Sequence, residues 1–142
     1  ADEEFRPRWG HRISTWYVTL VLLGKAADYQ TAHIPPQIEI MRGGDDPARP
    51  LTWDDQVMAV GLADQVFVVV NPESQMERFR DVVRRFEELR ARLPQYFMFG
   101  VFHPELACGA GACMACMVNL RTERKLSCTE GPAFDLTRVI LP

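Results

Sequence analysis

The chain has 142 residues, of which 47% are hydrophobic and 25% charged, and its formal net charge is −3 at pH 7. This balance is typical of a soluble globular chain with one domain, or one domain and a small addition, and it argues against a nucleic-acid partner. The longest apolar stretch, residues 13–23, is far shorter than the about 20 residues of a membrane-spanning helix, so no transmembrane segment is predicted.

The first half of the chain predicts a polar arm, two strands and a short helix. Residues 1–12 are polar and include a proline and a glycine, which predicts an irregular arm. Residues 13–23 are rich in β-branched and aromatic side chains, which favours a buried strand over a short helix. After a loop, a second short strand is predicted at residues 38–41, ended by two glycines. An irregular connection is expected at residues 45–53 and a short helix at residues 54–61.

The middle of the chain predicts a strand, a long helix and a returning strand. Residues 66–70 read VFVVV, and such a run predicts a central strand of a mostly parallel sheet, buried on both faces. Asn71 suits a helix cap and Pro72 the first helical position. Residues 96–102 predict the returning strand. Between Pro72 and Pro94, apolar residues recur at helical spacing, at Met76, Phe79, Val82, Val83, Phe86, Leu89 and Leu93.

These elements predict three parts in the chain. Residues 1–12 form the arm, and residues 13–102 alternate strands and helices, which is typical of an α/β layer. Residues 103–142 are predicted to form a separate module that contains every cysteine of the chain.

The four cysteines lie close together in the sequence, at Cys108, Cys113, Cys116 and Cys128. Clustered cysteines favour metal binding in a reducing cytosol over a secreted disulfide framework, and we find no secretory signal, so a cytoplasmic location is predicted. Their spacing, Cys-x4-Cys-x2-Cys with a distant fourth cysteine, matches plant-type [2Fe–2S] proteins.

The residues around the cysteines are suited to a negatively charged cluster. Gly109 and Gly111 are predicted to contribute to its binding, because a residue without a Cβ lets backbone N–H groups approach the sulfurs closely. Such donors offset the energy of burying the charge. The residues before Cys128 predict a β-hairpin with strands at residues 117–120 and 125–127, which would return this cysteine to the other three.

Other sites remain open from the residues alone. Zinc also accepts four cysteines, although structural zinc sites usually combine two short cysteine pairs. A redox dithiol at Cys113 and Cys116 leaves the other two cysteines unexplained. A [4Fe–4S] cluster commonly uses closer spacing, and a Rieske centre needs two histidines, of which only His103 is near.

The cysteine region resembles the C-terminal iron–sulfur module of dihydroorotate dehydrogenase B electron-transfer subunits. The likeness extends over residues 104–138. Two motifs carry it, Ala107-Cys108-Gly109-x-Gly111-x-Cys113-x-x-Cys116 and Cys128-x-x-Gly131-Pro132-x-Phe134. Upstream, VFVVVNPESQMERF resembles the last strand and helix of the nucleotide-binding lobe in that family.

The resemblance implies a partial ferredoxin-reductase-type, Rossmann-like lobe with a parallel sheet, followed by a small [2Fe–2S] module. It also implies that the four cysteines ligate the cluster, which in this family passes electrons between an FAD and the flavin of a partner subunit. The chain has no room for the family's FAD-binding barrel, so FAD is expected on a partner chain. The predicted function is an electron-transfer subunit of a larger flavin-containing redox complex.

Departures from the family leave two alternative functions. The lobe has no glycine-rich turn, and Val70-Asn71-Pro72 stands where the family has Cys-Gly-Pro, so autonomous NAD(P)H oxidation is not expected. The alternatives are a structural zinc-binding subunit and an NAD(P)H-dependent reductase component that works with a separate flavoprotein. Residues 1–12 and the basic hairpin tip are candidate docking surfaces, the tip comprising Arg121, Arg124 and Lys125.

Overall fold

The computed structural model describes residues 17–46 and 48–142. The predicted arm, and the first part of the strand predicted at residues 13–23, lie outside the described residues. The chain divides into two compact units between Asp55 and Gln56. This division differs from the predicted boundary after residue 102, and that boundary stays a prediction.

The first unit contains a three-stranded sheet in the order β1-β2-β3. β1 (Thr19–Leu23) pairs in parallel with β2 (Glu39–Gly44), and the short β3 (Thr52–Trp53) pairs antiparallel with β2. A 3-10 turn at Gly24–Asp28 follows β1. Both strands predicted in this part of the chain are therefore present.

β2 is longer than predicted, and β3 was not predicted at all. Gly43 and Gly44, expected to end the strand, instead pair with Trp53 and Thr52. A Cβ on Gly43 would lie 2.8 Å from the Cα of Trp53. The glycine thus allows the close approach of a third strand, whose pairing depends on this tertiary contact rather than on local propensity.

The second unit holds a sheet in the order β4-β5-β8 and a separate two-stranded hairpin. Its strands are β4 (Val66–Val69), β5 (Met98–Val101), β6 (Met117–Asn119), β7 (Arg124–Leu126) and β8 (Ala133–Asp135). Its helices are α1 (Gln56–Leu62), α2 (Gln75–Leu89) and α3 (Ser127–Glu130). β4 and β5 are parallel, whereas β8 runs antiparallel to β5. The predicted α/β class with parallel strand pairs is confirmed.

The core of this unit lies between the sheet and α2. Phe79 of α2 is fully buried, and its ring would lie 3.0 Å from a Cβ on Gly100 of β5. The absence of that Cβ therefore lets the helix pack closely on the sheet. At the other end of α2, Phe86 meets the edge of the Phe97 ring. Met98 is also fully buried, so the returning strand is anchored under the helix.

β4 is an edge strand within the described sheet, and the prediction of a central strand was wrong. Val68 is buried, but Phe67 and Val69 are 60% and 66% exposed. Phe67 is sheltered only on one side, by stacking on Phe99 with ring centroids 5.6 Å apart. An unbroken run of apolar residues does not show how many strands a strand pairs with. Here the face of β4 that carries Phe67 and Val69 is exposed to solvent.

α2 ends at Leu89, earlier than the predicted stop at Pro94. The next residue, Arg90, is extended, and its guanidinium lies 4.3 Å from the centroid of the Phe97 ring. The same guanidinium donates to the carbonyls of Val60 and Ala63. This contact satisfies carbonyls at the C-terminal end of α1, and it requires Arg90 to leave the helix.

The predicted helix cap at Asn71 serves a 3-10 turn rather than α2 itself. The Asn71 side chain accepts a hydrogen bond from the N–H of Glu73 at 3.0 Å, which caps the turn at Pro72–Ser74. α2 begins directly after this turn. In the part of the chain that the structure describes, no helix is long and apolar enough to cross a membrane.

Candidate metal centre

The hairpin brings two of the four cysteines together. β6 and β7 pair antiparallel with Met117 opposite Leu126, which confirms the predicted hairpin. Cys116 directly precedes β6, and Cys128 lies two residues after the end of β7. The backbone N–H of Cys128 donates to the sulfur of Cys116 at 3.4 Å.

The other two cysteines lie on a loop with repeated left-handed residues. Gly109, Gly111 and Met114 have φ angles of 66°, 77° and 61°. The N–H of Ala110 donates to the sulfur of Cys108 at 3.4 Å. A loop that alternates between left- and right-handed residues turns its N–H groups toward one side and can bind an anion or an iron–sulfur cluster.

Hydrogen bonds from this loop favour the thiolate form of Cys108. They lower the pKa of the Cys108 thiol from its ordinary 9.0 to about 6. The N–H of Ala110 contributes most, and the N–H groups of Cys113 and Ala112 and the Cys113 thiol act in the same direction. Because metals bind the thiolate, the loop favours the ligand form of Cys108 at neutral pH.

Cys116 and Cys128 share a hydrogen bond that separates their pKa values. The N–H of Cys128 is the main cause of a lowered pKa at Cys116. The pKa of Cys128 is raised, chiefly by the hydrogen bond between its side chain and that of Cys116 and by burial. The negative charges of Cys116 and Cys108 add to this effect. Of the two thiols in this pair, Cys116 therefore loses its proton at the lower pH.

The four thiols are therefore arranged as two pairs, Cys108 with Cys113 and Cys116 with Cys128. The influence of Cys108 on the pKa of Cys128 links one pair to the other. Across residues 17–46 and 48–142, no three histidine, cysteine, aspartate or glutamate residues form a group that could hold one metal ion.

The two pairs differ in their exposure to solvent. Cys108 and Cys113 are exposed, Cys128 is half-buried and Cys116 is only 5% exposed. His103 is exposed, and its backbone N–H donates to the Gln75 side chain. The described residues place no second histidine with it as a ligand group. The candidate site is thus open to solvent at Cys108 and Cys113 and sheltered at Cys116 and Cys128.

A row of aromatic rings connects the core under α2 to the cysteine region. The ring centroids of Phe79 and Phe102 are 4.9 Å apart, and those of Phe102 and Phe134 are 5.6 Å apart. A Cβ on Gly131 would lie 2.6 Å from the Phe134 ring, so this glycine after Cys128 leaves room for the ring. The row was not predicted, because Phe79 and Phe134 are far apart in sequence.

A groove of about 740 Å³ lies beside Cys116. Its lining includes Cys116, Ser127 and Met117, together with Gln75 and Met76 at the start of α2. Ser127 was not singled out from the sequence. A serine next to a cysteine carries no distinctive signal, and its burial follows from the return of the hairpin.

The lowered pKa of Cys108 predicts an unusual alkylation profile in the metal-free protein. The thiolate is the reacting form, so the rate at Cys108 should rise to half its maximum near pH 6 rather than near 9. Below that midpoint the thiol is protonated and the rate should fall. Cys128, whose pKa is raised, should react only at higher pH. Iodoacetamide labelling followed by peptide mass spectrometry measures both profiles, and identical midpoints would refute this assignment.

Gly111→Ala is expected to weaken the loop more than Gly109→Ala. Both positions are left-handed, where a side chain costs about 1–2 kcal/mol. A Cβ on Gly111 would also lie 3.3 Å from the Thr129 methyl carbon, whereas a Cβ on Gly109 would meet no atom within 4 Å. Chemical unfolding and the rate of metal release should rank the two variants in this order. Equal losses would show that the Thr129 contact has no effect.

The cysteine loop and its hairpin belong to the same compact unit as the sheet of β4, β5 and β8. Residues 103–140 match the family model for the iron–sulfur cluster binding domain of dihydroorotate dehydrogenase B. The resemblance stated from the sequence is confirmed for this part of the chain, which contains all four cysteines. A search of curated proteins gave no match.

A solved structure of an NADH-dependent reduced ferredoxin–NADP oxidoreductase, studied for flavin-based electron bifurcation, shares the fold. The TM-score is 0.58 at 16% sequence identity, over 92% of this chain and 46% of that chain. The likeness confirms the predicted ferredoxin-reductase-type fold. The present chain therefore spans about half the length of that oxidoreductase chain.

Proposed function

We propose that the chain is an electron-transfer subunit in which Cys108, Cys113, Cys116 and Cys128 hold a [2Fe–2S] cluster. The observation that carries this proposal is the arrangement of the thiols in two linked pairs. A two-iron cluster with four cysteine ligands uses two on each iron. A single zinc ion would instead need all four sulfurs around one point.

The residues around the pairs fit the charge of such a cluster. Thiolates and inorganic sulfide give it a negative charge, which donors must offset where solvent is excluded. The N–H groups of Ala110 and Cys128 already donate to cysteine sulfurs in the structure. Gly109 and Gly111 adopt the left-handed angles that aim the loop's N–H groups. Their proposed part in cluster binding is therefore to shape the backbone.

In this proposal the chain holds the cluster in place and sets its surroundings, and it makes or breaks no covalent bond of a substrate. When bound, a [2Fe–2S] cluster accepts and releases single electrons. The sheltered pair, Cys116 and Cys128, fixes one side of the site against the hairpin. The exposed pair, Cys108 and Cys113, leaves the other side open to a partner. This open side is where we place electron exchange with another protein.

The electron donor and acceptor are proposed to lie on other chains, and FAD is assigned to a partner flavoprotein in a larger redox complex. The relative with the same fold is an oxidoreductase studied for flavin-based bifurcation, which supports a flavin-linked setting. A cytoplasmic location stays a prediction from the clustered cysteines.

Stoichiometric reduction tests the electron-transfer proposal. Anaerobic titration of the purified chain with dithionite should add one electron per chain and bleach its visible absorption. The reduced protein should give the EPR signal of a half-integer-spin [2Fe–2S] centre, and reoxidation should restore the starting spectrum. A chain that takes up no electron, or that is colourless, would refute the proposal.

The hairpin tip is proposed as part of the docking surface. Of its three basic residues, Arg121, Arg124 and Lys125, one is already paired with carboxylates. Lys125 is paired with Glu123 and Glu130, at 3.9 and 3.4 Å. Arg121 and Arg124 are exposed and form no ion pair with other described residues. These two arginines therefore remain available to an acidic partner surface.

Arg124→Glu is expected to weaken the native complex because it reverses an unpaired charge at this tip. Partner subunits should elute from the immobilised chain at lower salt than from the wild type, and the difference should shrink at high ionic strength. Arg92→Glu makes the same charge change at another exposed site and should elute like the wild type. If the two variants behave alike, the tip has no role in docking.

A further inference from the structure

Ser127 has a buried hydroxyl without a hydrogen-bond partner among the described residues. The residue is 5% exposed and lies between β7 and Cys128. Its backbone is fully engaged, since its N–H donates to the carbonyl of Cys116 at 3.1 Å and its carbonyl accepts from Gly131 at 3.1 Å. Burying a hydroxyl without a hydrogen-bond partner is unfavourable, so an acceptor is expected at this position.

The usual role of a serine at the start of a helix does not account for this hydroxyl. A capping serine accepts a hydrogen bond from an N–H in the first turn. Here the cap position of α3 is Leu126, which makes no side-chain cap. Nearby, the hydroxyl of Thr129 does have a partner, the carbonyl of Leu126 at 3.4 Å. Ser127 is thus a buried donor beside a proposed cluster ligand.

We propose that the Ser127 hydroxyl donates a hydrogen bond to a sulfur of the cluster held at Cys116 and Cys128 and raises its reduction potential. The inference rests on the proposed function, because it requires the cluster. Ser127 directly precedes Cys128, and its N–H donates to the carbonyl of Cys116, so the residue lies beside both thiols of this pair; it also lines a groove with Cys116. The competing acceptor is a water molecule in that groove.

The direction of the effect follows from the change in charge. Reduction adds one electron and no proton, so the sulfurs become more negative. A hydrogen bond to a sulfur therefore stabilises the reduced state more than the oxidised state. Loss of the donor should make reduction less favourable, whereas a hydroxyl bonded to groove water would have little influence.

The test is an EPR-monitored redox titration of the iron-loaded full chain. Ser127→Ala is expected to lower the equilibrium constant for one-electron reduction about tenfold, which is about 59 mV for a one-electron couple. Ser127→Thr keeps the hydroxyl and should stay near the wild-type potential. Thr129→Val removes a neighbouring hydroxyl that already has a partner, and it should leave the potential unchanged.

Iron and sulfide content, measured on every sample, separates the possible failures. A wild-type chain without iron and sulfide would refute the proposed function and this inference together. A fully loaded Ser127→Ala with the wild-type potential would refute this inference alone. If Ser127→Ala loses its iron, the comparison with Ser127→Thr becomes the test. Iron retained by Ser127→Thr at the wild-type potential supports a role for the hydroxyl, whereas loss of iron from both variants overturns that role.

Discussion

Cys113→Ser is expected to remove most of the bound iron and the visible absorption that accompanies it. Cys113 is paired with Cys108, and its thiol and N–H both favour the thiolate of that residue. A serine hydroxyl stays protonated at neutral pH and is a poor iron ligand. Because metal binding stabilises the folded module, this variant should also unfold at a lower denaturant concentration.

Ala115→Ser is the matched control for this change. It introduces the same hydroxyl into the same exposed loop and keeps all four thiols. Iron and acid-labile sulfide, measured after anaerobic purification, should be at the wild-type level in this control. Full iron content in Cys113→Ser would show that Cys113 is not a ligand.

Phe79→Ala is expected to lower the free energy of unfolding of the second unit by about 3–5 kcal/mol. The side chain is fully buried under α2, and the variant would leave a cavity between Gly100 and Phe102. The effect should extend to the cysteine region, because Phe102 also packs against Phe134. We therefore expect faster iron release as well as lower stability, measured by urea unfolding and by transfer of iron to a chelator.

Phe67→Ala controls for the loss of a phenyl ring. Phe67 is 60% exposed on β4 and, among the described residues, stacks on Phe99 alone. Its loss should lower the unfolding free energy by about 1 kcal/mol, the value of one aromatic pair, and should leave iron release unchanged. Similar losses in the two variants would mean that the row from Phe79 to Phe134 does not support the cysteine region.

Local signals made the hairpin and much of the candidate site predictable. The cysteine spacing reflects a short loop, and Gly109 and Gly111 do adopt the left-handed angles for which glycine is suited. The hairpin between Cys116 and Cys128 also depends on nearby residues, so its pairing could be predicted from the chain alone. The role of these residues as ligands remains a proposal that the chemistry above must test.

Features that depend on distant contacts were not predictable. β8 lies in the predicted cysteine module, yet it pairs with β5 of the predicted lobe, so one sheet joins residues from both parts. β4 has the composition of a central strand but has a single neighbour in the described sheet. The unpartnered hydroxyl of Ser127 likewise results from packing, because its burial depends on where the hairpin returns.

Metal and sulfide analysis of anaerobically purified chain tests the central claim most directly. Two linked pairs of thiols predict two iron atoms and two acid-labile sulfides per chain, with a red-brown colour. One zinc ion per chain without sulfide, or disulfide bonds in place of metal, would contradict the account.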